Sequence, residues 1–372
     1  MKTLRLGSIA LLSPGELFGG VETQVLSLCA GLKIAGVEVL PILFHDRELA
    51  SRLRLAGIPP KILSVPHRYD PVAAGRLARH LRRHGCGLLH VHGYRATVTA
   101  GVAGNALRAA VVKTEHGLPE PATRPVDRIK SRLNRSLDDW ATRRLRAHVR
   151  YVTADIMRRF DQAHAGLDRS VIHNGIEPIT REGRARPIEL EPGCFQMAII
   201  GRLSPVKGIH FALRAMAFEA VPATVRLNII GFGTEGDSLR REAESIGLGA
   251  KVTFYGFRRD ALDWLAHMDA LLMPSLHEGL PYTLLEAMSL GVPVVGSRVG
   301  GIMEVLRHED TGLLVDVGDV GGLAREVGRL ARDPELGCRL GAAAALEQRE
   351  RYTLSRVVRD YLQTYALAVA AA

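Results

Sequence analysis

The sequence predicts an α/β chain of two domains, each built on a parallel sheet. Three observations carry this. Apolar runs of strand length alternate with helix-length amphipathic stretches along the chain, the pattern of strand–helix–strand units. At 372 residues the chain is long enough for two domains of ordinary size. A stretch of mixed charge carrying Pro187 and Pro192 then separates the halves, so that residues 1–178 and 194–350 read as the domains and 179–193 as the linker.

In the first half, Leu4–Leu12 reads as a strand that runs into the glycine-bearing loop Ser13–Glu22, followed by a helix over Thr23–Leu32. Strands are expected at Val37–Phe44, Ile62–Val65, Leu88–His92, Ala110–Thr114, Val149–Thr153 and Ser170–Ile172. Helices are expected at Leu49–Ala56, Pro71–His84, Thr97–Leu107, Pro125–Arg146 and Asp155–Ala163. In the second half, strands are expected at Phe195–Ile200, Val225–Ile230, Val252–Tyr255, Ala270–Met273, Val292–Gly296 and Gly312–Val315. A helix runs to Ile246, others cover Ala261–Met268 and Val320–Arg332, and Arg339–Ala372 reads as helices.

Composition narrows the class. The chain is 47% hydrophobic and 24% charged, with a mean hydropathy of +0.06, as in a soluble globular protein. No apolar run approaches the ~20 residues that span a bilayer. The N-terminal run is too short and interrupted for a signal peptide. Cys29, Cys86, Cys194 and Cys338 lie far apart without a CxxC, which suggests neither a zinc site nor a disulfide framework. The cytoplasm is the expected compartment. The net charge of +10 is uneven: residues 1–180 hold 27 Lys+Arg against 15 Asp+Glu, and residues 181–372 hold 22 against 24. Pro125–Arg146 is amphipathic, with Ile129, Leu133, Leu137, Trp140 and Leu145 among basic residues. That pattern is compatible with lying on an anionic membrane surface, and equally with packing on its own domain.

The most informative stretch is Pro274-Ser-Leu-His-Glu-Gly-Leu-Pro-Tyr-Thr-Leu-Leu-Glu286, between a strand and a helix that stops at Gly291. Pro281 suits the first helical position, where its missing N–H costs nothing. The helix tip after Glu278-Gly279 is then an anion site, and Gly279 admits close approach to the backbone. Glu278 and Glu286 are too far apart to act as one acid/base pair, ~12 Å of rise if all the residues between were helical. They could hold two ends of an elongated ligand. Gly19-Gly20 before a helix offers bare amides to a phosphate. His116 follows a strand's carboxyl end, where open α/β sheets place ligands. Arg202 and Lys207, in Gly201-Arg-Leu-Ser-Pro-Val-Lys-Gly208, also sit at a strand end, where two cations could clamp a diphosphate. His90 and His92 share a strand face without a third metal ligand nearby.

These segments resemble retaining, family-4-type glycosyltransferases of the GT-B fold. Glu278 through Glu286 matches the family's Glu-x7-Glu signature residue for residue. The order of Gly19-Gly20-x-Glu22, His116-Gly117, Asn174-Gly175, Gly201–Gly208, Gly231-x-Gly233 and Gly300-Gly301 fits as well. The resemblance implies two Rossmann-like domains facing across a cleft, with residues 351–372 crossing back to the first. It implies that Glu278 meets the donor sugar and Gly279, Leu280 and Pro281 its phosphate, while Glu286 holds the ribose. Gly19, Gly20, Asn174, Gly201, Gly231 and Gly233 would line the donor, Arg202 and Lys207 its diphosphate, and His116 its sugar. The implied partners are a nucleotide-diphosphate sugar and a sugar or lipid-linked acceptor, at the inner face of the membrane or free in the cytoplasm. No cofactor is expected beyond the substrate. No Asp-x-Asp triplet occurs in the sequence, so no metal clamp is expected either.

Two other readings stand beside this one. Gly231-Phe-Gly-Thr-Glu-Gly236 is a literal G-x-G-x-x-G between a strand and a helix, and Arg258-Arg259 follows the next strand, as an NADP-binding oxidoreductase would have it. A non-catalytic basic module binding membrane or nucleic acid is the third, with nucleic acid the less favoured partner.

Overall fold

The computed structural model describes residues 8–16, 18–65, 70–117 and 125–371. It forms two compact units, Met1–Asn174 with Leu354–Ala372, and Gly175–Thr353.

The first unit carries strands β1 (Ile9–Ser13), β2 (Val39–Leu43), β3 (Lys61–Ile62), β4 (Leu88–His92), β5 (Ala110–Glu115), β6 (His148–Tyr151) and β7 (Arg169–Val171). They pair in parallel in the order β3-β2-β1-β4-β5-β6-β7. Between them run α1 (Gly20–Ile34), α2 (Glu48–Leu55), α3 (Pro71–Arg83), α4 (Tyr94–Ala103), α5 (Pro125–Arg144) and α6 (Ala154–Arg159). The central strands β1, β4 and β5 are buried along their whole length, as parallel strands covered by helices on both faces must be.

The second unit repeats the plan. Strands β8 (Phe195–Ile200), β9 (Val225–Ile230), β10 (Val252–Gly256), β11 (Ala270–Met273), β12 (Val294–Ser297) and β13 (Leu313–Val315) pair in parallel in the order β10-β9-β8-β11-β12-β13. Its helices are α7 (Ile209–Met216), α8 (Gly236–Ser245), α9 (Ala261–Ala266), α10 (Tyr282–Ser289), α11 (Gly300–Val305), α12 (Val320–Arg332) and α13 (Pro334–Arg351). Residues 179–193 carry neither helix nor strand and run along this unit. There the Ile179 amide donates to Ser289 Oγ at 2.7 Å, Arg181 to the Leu290 carbonyl at 2.8 Å and Arg184 to Asp263 at 2.8 Å.

The last helix, α14 (Leu354–Ala370), belongs to the first unit. Leu354, Val357, Val358, Tyr361, Tyr365 and Ala368 join the core that holds β1, β5 and α1. Gly31 of α1 lets it approach: a Cβ there would come within 2.5 Å of Val358.

Several element ends differ from the sequence reading. Of Leu4–Leu12, residues 4–7 lie outside the described residues, and β1 is Ile9–Ser13. The helix expected over Thr97–Leu107 is α4 plus a short 3-10 turn, broken where Gly104 takes φ +51°. β6 stops at Tyr151 because Thr153 is the N-cap of α6, accepting from the Ile156 amide at 3.2 Å.

Candidate active site

Chain order sets the site before any side chain does. In the second unit the chain leaves β8 for β9 on one side and later returns to β11 on the other. The loops at the carboxyl ends of β8 and β11 therefore flank the point where strand order reverses, where open α/β sheets bind ligands. They are Gly201–Gly208 and Pro274–Pro281, tied together by the Leu276 amide donating to the Val206 carbonyl at 2.8 Å.

Lys207 and Glu278 meet here. Lys207 Nζ lies 2.6 Å from Glu278 Oε1, and Ser275 Oγ donates to the same oxygen at 2.7 Å. Glu278 is buried, and its own carbonyl accepts from the Gly301 amide at 3.3 Å. A buried carboxylate needs such hydrogen-bonding partners. Arg202 is exposed at the start of the same loop.

The glycines have a backbone reason of their own. A Cβ on Gly231 would fall 1.8 Å from the Gly201 carbonyl oxygen, one on Gly233 2.2 Å from that of Leu203, and one on Gly208 2.1 Å from that of Pro274. These loops pack main chain against main chain, so the G-x-G after β9 is required for packing the β8 loop. Arg258 does not await a 2′-phosphate. It is paired with Asp260 at 2.8 Å and Glu189 at 3.4 Å, and it lies over the Trp264 ring. One of the two arginines behind the dinucleotide reading is thus already paired, while Arg259 beside it is exposed.

The helix after Glu278 begins one residue later than the sequence suggests. Pro281 is the N-cap of α10, in extended conformation, and Gly279 and Leu280 precede it in the loop. The Pro281 side chain makes no cap hydrogen bond, and the backbone at the helix tip faces the loop that carries Glu278. Glu278 is outside the helix, and the estimate of its separation from Glu286 along a continuous helix does not apply. Part of Glu286 reaches solvent, yet its carboxyl is enclosed. Burial pushes it up to about 7, against the pull of Arg184.

In the first unit the reversal falls between β1 and β4. Gly19 is the N-cap of α1 and Gly20 its first residue, both exposed; the Gly19 amide donates to Glu22 Oε2 at 3.1 Å. His116 follows β5, with its Nε2 3.1 Å from His92 Nδ1. Burial lowers His116 to about 3 and His92 well below its ordinary value, so both are neutral and one ring N–H donates to the other. His90 and His92 are not a metal pair. His90 is held between Tyr365 Oη and Thr114 Oγ1, each at 2.7 Å. Thr114 continues to Tyr361, and Gln24 donates to Asn174 Oδ1 at 2.9 Å and lies 3.4 Å from Tyr361 Oη. Asn174 is therefore buried and anchored to α1, and Gly175 follows it. Among the described residues no group of three or more His, Cys, Asp or Glu is placed to hold a metal ion.

Sequence reasoning missed Ser275, Gln24, Tyr361 and Tyr365, and a polar cluster at the ends of β1 and β2. There Glu16 contacts Arg95 and lies 3.2 Å from His45. Ser275 was within reach, three residues before Glu278. The two tyrosines were not, because nothing local in the sequence pairs them with His90.

Comparison with known proteins accords with this layout. Residues 18–179 match the family described as Glycosyltransferase Family 4, and residues 195–333 the one described as Glycosyl transferases group 1. The N-acetyl-alpha-D-glucosaminyl L-malate synthase of Bacillus anthracis is 32% identical over 166 residues, 45% of this chain and 44% of that protein. The 2-deoxystreptamine N-acetyl-D-glucosaminyltransferase of Streptomyces fradiae is 32% identical over 267 residues, 67% of this chain and 62% of that protein. The chain thus spans about half the length of the curated relatives it matches. Among solved structures, Anabaena HepE in complex with UDP and glucose superposes with a TM-score of 0.83 at 21% identity, covering 97% of this chain and 99% of that one. Two parallel-sheet Rossmann-like domains and matches in both halves lead to one conclusion: the chain belongs to the family-4, group 1 glycosyltransferases of the α/β GT-B class.

Proposed function

We propose that the protein transfers a hexose from a nucleotide-diphosphate sugar to a hydroxyl acceptor, with retention at the anomeric carbon, in the synthesis of a cell-surface polysaccharide or glycolipid. The observation that carries the reading is the Lys207–Glu278 contact at the strand-order reversal of the second unit. It presents a cation for a phosphate and a carboxylate for sugar hydroxyls within one hydrogen bond of each other. Departure of the diphosphate is the demanding step. Its growing charge would be met by Lys207, Arg202 and the backbone amides at the tip of α10. Glu286, just over one turn into α10, would take the ribose hydroxyls. Neutral His116 would contact the donor sugar. The acceptor would attack from the face the diphosphate leaves, its proton passing to a departing phosphate oxygen. No side chain is assigned as a covalent nucleophile.

The names of relatives support the class of substrate: HepE was solved with UDP and glucose, and the Bacillus anthracis and Streptomyces fradiae proteins are named for N-acetylglucosaminyl transfer. The test is a thermal-shift screen against UDP, GDP, ADP, their hexose conjugates and NADPH, since a ligand that binds the folded state alone raises its stability. A shift with one nucleoside diphosphate is expected, followed by turnover of the matching sugar donor with the anomeric configuration kept. A shift with NADPH alone would overturn the proposal.

A further inference from the structure

Helix α5 packs one face against its own unit and turns an apolar face outward. Asp138, Ala141 and Thr142 are buried. Asp138 and Thr142 hold the buried Lys113 of β5 at 2.7 and 3.0 Å, and Ala141 packs so close to α4 that a Cβ on Gly101 would come within 2.5 Å of it. The other face carries Val126, Ile129, Leu133 and Trp140, each between 45% and 68% exposed. At about 100° per residue these four fall within ~60° of one another, roughly 140° round from the buried set. Lys130 flanks this stripe on one side and Arg132 and Arg143 on the other, while Arg144 lies at its edge over the Trp140 ring; all four are exposed, with Arg143 also donating to the Gln162 carbonyl and Arg144 to that of Gly101, each at 3.0 Å. The described acidic residues of the helix lie elsewhere: Asp138 faces Lys113, and Asp139 is 3.5 Å from His164.

We infer that the outward face of α5 docks on an anionic lipid bilayer, the helix lying parallel to it. An apolar stripe with cations on both rims fits a membrane interface, where side chains sink between acyl chains and the cations meet headgroup phosphates. A polynucleotide would use the charge and leave the stripe without a role. A second copy docking on the same face would bring four cations against four. Among the described residues no helix is long and apolar enough to cross a membrane, so contact is at the surface. The inference goes beyond the transfer reaction and does not need it.

The protein contains its own probe. Of its two tryptophans, Trp140 lies on the stripe and Trp264 is fully buried in the other unit. Full-length protein is mixed with phosphatidylglycerol–phosphatidylcholine vesicles and with pure phosphatidylcholine vesicles, and both co-sedimentation and tryptophan emission are followed. Binding with a blue shift is expected on the anionic vesicles, at least tenfold weaker on the neutral ones. Ile129→Glu with Leu133→Glu should abolish both signals. Lys130→Glu with Arg132→Glu should weaken binding by tenfold or more, since each cation near such a surface is worth roughly fivefold. These positions are exposed, so unfolding temperature and nucleotide binding should stay as in the parent protein. Vesicle binding unchanged in both double variants would overturn the inference. So would duplex DNA binding lost with the charges but not with the stripe, or a dimer that the Ile129→Glu/Leu133→Glu variant dissolves while vesicles are ignored. No nucleotide sugar enters the assay, so its outcome is independent of the transfer reading.

Discussion

At the scale of single residues, Lys207 and Glu278 neutralise each other across 2.6 Å. A donor would have to exchange this pair for two new ones, phosphate on the lysine and hydroxyls on the carboxylate. Lys207→Ala removes one and leaves Glu278 buried beside Ser275 alone. Lys207→Ala and Arg202→Ala should each lower kcat by ~10²–10³-fold, the usual effect of losing a preorganised charge donor. Steady-state kinetics near those of the parent in both would remove the diphosphate clamp. Glu286 gives a second test with a definite sign. Its folded carboxyl is raised to about 7 by burial, above its value in the unfolded chain. The folded state therefore holds the extra proton between about 4.5 and 7, and this residue's contribution to stability is lost as pH rises through 7. Ribose hydroxyls would donate to the ionised form, so donor affinity should rise over the same interval. Glu286→Gln should flatten both profiles, measured by calorimetric titration and thermal unfolding. A nucleoside-diphosphate affinity that keeps its pH dependence in the variant would place the ribose elsewhere.

At the scale of elements, the fold was legible where local pattern decides it. Phe195–Ile200, Val225–Ile230 and Ala270–Met273 are strands over the residues their apolar runs suggested, because a strand buried on both faces reads as a mostly apolar run, with Gln196, Arg226 and Asn228 the exceptions. The glycine loops were legible as ligand loops, but their nearer cause was hidden, since main-chain packing between the β8 and β9 loops is a tertiary fact. Gly231→Ala should cost about 1–3 kcal/mol by overpacking and weaken nucleotide binding along with stability. The Pro281 boundary slipped because proline is at home both as the first helical residue and just before it, and the sequence does not choose. Least legible was α14. Its tyrosines secure β4 and β5 through His90 and Thr114, far away in the chain. Tyr365→Phe leaves a buried ring nitrogen of His90 unsatisfied and should cost about 1–3 kcal/mol in urea unfolding. An unchanged midpoint would mean that the hydroxyl is dispensable.

At the scale of the whole molecule, the two units own separate cores and opposite responses to acid. His45, His80, His90, His92, His116 and His164, all in the first unit, are lowered chiefly by burial. Burial disfavours the charged form of each in the folded state, so the unfolded chain takes up protons first and their joint contribution declines as pH falls through the ordinary histidine range near 6.5. Glu22, raised chiefly by burial, and Glu115, raised to about 7 mainly by burial against the pull of Lys113, work the other way, two groups against six. In the second unit His210 is lowered too, whereas Glu286 and Asp269 are raised and favour the folded state in acid. Going from about pH 7.5 to 5.5 should therefore lower the melting of the first unit and leave that of the second unchanged or higher. Each unit also has one tryptophan, Trp140 in the first and Trp264 in the second. In a Trp140→Phe variant, fluorescence reports the second unit while calorimetry sees both. Two calorimetric transitions that separate in acid, with fluorescence following the upper one, are expected. A single transition at both pH values, tracked by fluorescence throughout, would mean that the units unfold as one and that their titrating groups share a common equilibrium.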